Sequence, residues 1–162
     1  MRQTMASTPF TAIRLRAIPF IVALALLSAE LTACGKPVPA ADSIETLSKS
    51  LTAAGLSVQD LAMPDRIDAG LFNTTSALIT ASREKVLAYE FSSEAEAEAA
   101  ASKVSPDGSG IGLKYVNWRA TPHFYRRGKL IVIYEGEQKL MTDTLSAALG
   151  PRFAGGEPEP GA

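Results

Sequence analysis

One stretch, Asn117 to Lys129 (NWRATPHFYRRGK), gathers the residue types that chemistry most often uses. It holds the only tryptophan and the only histidine of the chain, Trp118 and His123, together with Tyr125 and four cations, Arg119, Arg126, Arg127 and Lys129. Histidine titrates near neutrality and serves as a base or a metal ligand. Arginine grips carboxylate or phosphate through paired N–H donors. Trp118, Arg119, His123, Tyr125, Arg126 and Arg127 are therefore the candidate binding residues. Catalysis asks for more, a nucleophile beside its base, and none of the patterns G-x-S-x-G, C-x-x-C or H-E-x-x-H occurs. No catalytic residue is assigned. With one histidine and one cysteine, a soft-metal site would have to be built almost wholly from carboxylates, so no metal or other cofactor is expected.

The same residues also fit a hairpin with no chemistry. In a strand His123 and Tyr125 point one way and Phe124 and Arg126 the other, which turns aromatic mass inward and leaves polar tips at the rim. Structure is the favoured reading, with a site where Trp118, His123, Tyr125 and Arg126 converge as the alternative. A further reading gives the hairpin tip a contact role. Lys114, Arg119, Arg126, Arg127 and Lys129 are five cations within sixteen residues; they could touch anionic lipid heads or polysaccharide, or simply deter edge-to-edge aggregation. Two weaker signals lie nearby. Asp107 to Gly112 (DGSGIG) is glycine-rich but runs into a strand instead of opening a helix, so it reads as a mobile connector and not a phosphate cradle. Of Glu94, Glu96 and Glu98, only the first and last share a helix face, which suits a solvated surface.

The chain has 162 residues, 46% hydrophobic and 20% charged, with a net charge of −1. That suits one compact domain plus a targeting segment and gives no basic surface for nucleic acid. Arg2, Arg14 and Arg16 precede the apolar run AIPFIVALALL (17–27) and the small-residue stretch SAELTAC, the order of an export signal. The run is too short, and too soon followed by Glu30, for a comfortable membrane span.

Leu31-Thr32-Ala33-Cys34 resembles the lipobox of bacterial lipoproteins, an aliphatic residue and two small ones before cysteine. The resemblance implies diacylation of the Cys34 thiol, cleavage after Ala33, and a protein held to a membrane of the bacterial envelope by its lipid. It leaves 129 residues carrying 13 basic and 16 acidic side chains, a net charge of −3. Gly35 stands after the cysteine where an aspartate is absent; in diderm bacteria this resembles lipoproteins sent to the outer membrane. The block Val116 to Gly136 is similar to a segment of small envelope lipoproteins of unknown function, which implies no catalytic residues. Partners are then the membrane, through Cys34, and an anionic envelope component or a protein; nucleic acid is not among them.

The elements that must position these residues follow from pattern. Residues 1–33 read as signal peptide, 34–41 with Pro37 and Pro39 as a flexible tether, 42–152 as one domain, and 153–162 as a disordered tail rich in glycine and proline. Asp42 and Glu45 have capping-box spacing ahead of a helix stopped by Gly55. Leu56 to Met63 reads as a strand, and the segment from Pro64 to Asn73 is poorly patterned. Thr75 to Ala81 and Lys85 to Phe91 form a hairpin around SREK, followed by a helix capped by Ser93. A strand is expected at Leu113 to Arg119. HFYR and KLIVIY then flank a turn at Arg127-Gly128, and a helix from about Glu137 to Leu149 follows. The run Leu130 to Tyr134 is apolar without alternation, as in a strand covered on both faces. Hairpin then helix thus occurs twice, with KVLAYE echoed by LIVIYE. The expected fold is α+β, an antiparallel sheet of five or six strands with helices mainly on one face.

Overall fold

The computed structural model describes residues 37–62 and 70–156. The segment read as a signal peptide, Cys34, most of the poorly patterned stretch after Pro64 and the residues from 157 onward lie outside the described residues. The elements are α1 (Ile44–Ala53), β1 (Val58–Ala62), β2 (Thr75–Ala81), β3 (Glu84–Glu90), α2 (Glu94–Ala101), β4 (Gly110–Ile111), β5 (Lys114–Tyr115), β6 (Pro122–Arg127), β7 (Leu130–Glu135), α3 (Lys139–Leu149) and β8 (Arg152–Gly155). Six strands form one sheet in the order β1-β2-β3-β7-β6-β8, every neighbouring pair antiparallel. This is the expected α+β architecture.

Period-two alternation sorts the side chains onto the two faces. Val86, Ala88, Val132, Tyr134 and Tyr125 pack with Leu47 and Leu51 of α1 and Met141 and Leu145 of α3. Tyr89, Ile131, Ile133 and Phe124 pack on the other side with Phe72 and Ala97 of α2. Two of the three described helices therefore share a face, and α2, built from alanines, sits on the other. All of Leu130 to Tyr134 is buried, because β7 is central and has a core on each side. The echo between the halves holds in order but not in placement. Tyr89 and Tyr134 face opposite sides, each towards the helix that follows it.

Local chemistry fixes the helix starts. Ser43 caps α1, its Oγ accepting from the Thr46 N–H at 3.2 Å while Thr46 Oγ1 accepts from the Ser43 N–H at 2.9 Å. The box thus lies one residue beyond the Asp42–Glu45 spacing; Asp42 instead accepts from the Thr46 hydroxyl at 3.1 Å. Glu90 of β3 adds a carboxylate to the same helix end, accepting from the Ile44 N–H at 3.0 Å and pairing with Lys129 at 2.8 Å. Ser93 caps α2 as its spacing predicts.

Four expectations change. The described part of the tether is not free: Val38 packs on the first core, the Pro39 carbonyl accepts from Ser50 Oγ at 2.8 Å, and the Ala41 N–H donates to the Ala148 carbonyl at 3.0 Å. The strand foreseen from Leu113 to Arg119 is only Lys114–Tyr115, because Gly112, at φ 61°, turns the chain and leaves Leu113 and Tyr115 in solvent. The turn between β6 and β7 is Gly128-Lys129, since Arg127 still pairs with Leu130. Finally, the domain continues past Arg152. β8 pairs with β6, and Gly155 lies so near Pro122 that a Cβ there would stand 2.8 Å from the Pro122 carbonyl carbon. Those glycines permit close backbone approach at a sheet edge, where composition alone had suggested disorder.

Candidate functional site

β6 splits the candidate residues between the faces. His123 and Tyr125 lie on the α1/α3 side; Arg126 lies on the α2 side, 3.8 Å from Glu94. Trp118 also lies there, edge-on to Phe124 with ring centres 5.8 Å apart and its Nε1–H donating to the Gly108 carbonyl at 2.8 Å. Trp118, His123, Tyr125 and Arg126 therefore do not converge. The cationic tip is dispersed as well. Arg127 ends β6 and Lys129 lies in the turn that follows, engaged by Glu90. Arg119 sits at the other end of that hairpin, its N–H donating to Glu135. Lys114 donates to the Gly70 carbonyl.

The glycine-rich loop holds itself. Asp107 accepts from the Ser105 hydroxyl at 2.6 Å, the Ser109 hydroxyl at 2.8 Å and the Ser109 N–H at 3.1 Å. These bonds, Ser105 foremost, hold its carboxyl down at about 2. Gly108 abuts Phe124 and Pro122. The loop, read from sequence as a mobile connector, is a corner packed on the sheet and braced by its own side chains.

What the fold does assemble is a cleft between α3 and the β6–β8 edge, open to solvent and about 860 Å³ in volume. His123, Tyr125 and Arg152 come from the sheet. Lys139, Thr142, Asp143 and Ser146 come from α3, with Thr121 and Glu137 at one end. The α3 residues fall at i, i+3, i+4 and i+7, one polar stripe beside the buried Met141, Leu145 and Ala148. That stripe was the sequence signal for this side of the cleft. Lys139 and Asp143 pair within it at 2.7 Å.

His123 is 5% exposed and stacks on Tyr134 at 5.9 Å between ring centres. Its Nε2 lies 2.9 Å from the Gly136 carbonyl, which can only accept, so Nε2 carries the proton. Nδ1 then presents a lone pair; it is buried and has no hydrogen-bond partner. Burial pushes the imidazole pKa down and the nearby Arg152 pushes the same way, against the Gly136 bond and Glu137. The ring is thus a neutral acceptor. Beneath it, Tyr134 donates to Glu84 at 3.0 Å and accepts from the Gln138 N–H at 3.1 Å. Burial, reinforced by Glu84, pushes its phenol up to about 12, so it stays protonated. The Nδ1 lone pair is enclosed beside Gly156, so the groups the cleft offers to a small polar ligand are Lys139, Arg152, Glu137 and Asp143. Among the described residues no group of three or more His, Cys, Asp or Glu side chains is placed to hold a metal ion.

Comparison with protein-family models, with curated proteins and with solved structures returned no significant match. Among the described residues no helix is long and apolar enough to cross a membrane.

Proposed function

We propose that this is a lipid-anchored protein of the bacterial envelope whose domain acts by binding. The observation that carries the reading is the order of the N-terminal chain, basic residues, an apolar run, then Leu31-Thr32-Ala33-Cys34. The near end of the fold supports it. Val38 already packs on the core, so only Gly35 to Pro37 separate Cys34 from pinned residues. Four residue steps span at most about 14 Å, so acyl chains on Cys34 would keep the domain against the bilayer. The polar cleft beside His123 is the binding site in this reading, and a soluble or polymeric envelope component is its ligand. Cys34→Ala tests the anchor. The variant should take up no labelled palmitate and accumulate as an uncleaved precursor; processing and labelling like the parent would refute the reading.

A further inference from the structure

The sheet face that carries α2 is only partly covered. Leu78, Leu87 and Ile133 stand directly opposite one another in a cross-strand row. The row continues to Phe124, which Trp118 covers. Over its other end lies an open groove of about 560 Å³, walled by Val116 to Ala120, in which Leu78 and Leu87 remain only partly buried. Ile133 is itself buried, so Leu78 and Leu87, with Leu71 and Trp118 beside them, are the apolar surface the groove offers.

The rim carries three cations, Arg83, Lys85 and Arg119, and two carboxylates, Glu84 and Glu135, a net charge of +1. Arg83, Lys85 and Arg119 surround the groove, and among the described residues none of them has an ion-pair partner. The acids beside them are occupied. Glu84 accepts from the Tyr134 hydroxyl, and Glu135 accepts from the backbone N–H groups of Arg119 and Ala120. Three uncommitted cations around leucine side chains call for a ligand with both features.

We propose that this groove binds an anionic single-chain amphiphile, with methylenes lying on Leu78 and Leu87 and the head group held by Arg119, Lys85 and Arg83. A headless hydrocarbon would leave the cations unused, and a tailless anion would leave the leucines wet. The site lies on the sheet face opposite His123 and stands whether or not Cys34 is acylated.

Trp118 lines the groove and is the only tryptophan, so its fluorescence reports occupancy. The test uses the chain from residue 34 onward, which contains both cores and every described contact, with Cys34→Ser so that no attached chain competes. Titration with laurate below its micelle concentration should change Trp118 emission saturably at one per chain, whereas butyrate and dodecyltrimethylammonium should not. Arg119→Gln should weaken laurate about fivefold, the effect of about 1 kcal/mol per cation near an anionic group. Leu87→Ser should abolish saturable binding while far-UV circular dichroism stays that of the parent. No saturable response to laurate, equal affinity for the cationic amphiphile, or unchanged binding in Arg119→Gln would overturn the proposal. So would a concentration-dependent dimer, seen by sedimentation, that laurate does not dissociate, since the row would then be covered by a second copy.

Discussion

At the level of single residues, His123 carries the sharpest consequence. Its ring is buried, its Nε2–H is bonded to Gly136, and its Nδ1 faces no donor. The folded pKa is depressed below the ordinary value of about 6.5 that the unfolded chain retains. As pH falls through about 6.5 the unfolded chain binds a proton that the folded one refuses, so stability declines on acidification until the folded value is reached. Thermal melts between about pH 7.5 and 5.5 should therefore show a falling midpoint, and His123→Gln should flatten that dependence. A slope unaltered by the substitution would mean that the imidazole titrates alike in both states. Period-two alternation made the opposite orientations of Tyr125 and Arg126 legible from sequence. It could not show that Trp118 folds back onto the Phe124 side, because Gly112, 6 residues earlier, had already turned the chain. The α3 stripe of Lys139, Thr142, Asp143 and Ser146 was visible as spacing, but only the position of β6 and β8 makes it the wall of a cleft.

At the level of elements, turns and edges decide what pattern alone leaves open. The β2–β3 loop is the pair Ser82-Arg83 with φ of 50° and 72°, the left-handed sense that two-residue hairpins need but side chains resist. Ser82 is tied to Ser57 through backbone and side chain, whereas among the described residues no side-chain hydrogen bond or ion pair holds Arg83. Arg83→Gly should stabilise the domain by about 0.5–1 kcal/mol, relief of the left-handed strain exceeding the added entropy of the unfolded chain. Chemical denaturation measures it, and a loss of stability would refute the strain argument. β7 offers the opposite case. Val132 is 0% exposed between two core strands, so Val132→Asp should cost several kcal/mol and leave no cooperative unfolding transition. A melt like the parent's would contradict the double coverage of β7. That coverage was legible, since Leu130 to Tyr134 breaks alternation; β8 was not, because Phe153 to Gly156 owe their place to close contact with Pro122 and not to propensity.

For the molecule as a whole, two cores share one sheet, and the first of them also secures the incoming chain at Val38 and Ala41. Residues 38–41 therefore run along the α1 and α3 face, while the groove of Trp118 and Leu87 opens on the other. Antiparallel pairing, a sheet of five or six strands and the central apolar strand could be inferred from alternation and turns; the order of the strands could not. The division of the cations between hairpin ends could not, because sequence proximity on a hairpin says nothing of which end each residue occupies. The central claim is that a lipid on Cys34 holds this domain against a bilayer. Mass spectrometry of the N-terminal peptide from protein purified out of its native membranes tests it most directly. The account predicts a chain beginning at Cys34 and carrying the mass of a diacylglyceryl group; an unmodified thiol within a chain that still begins at Met1 would contradict it.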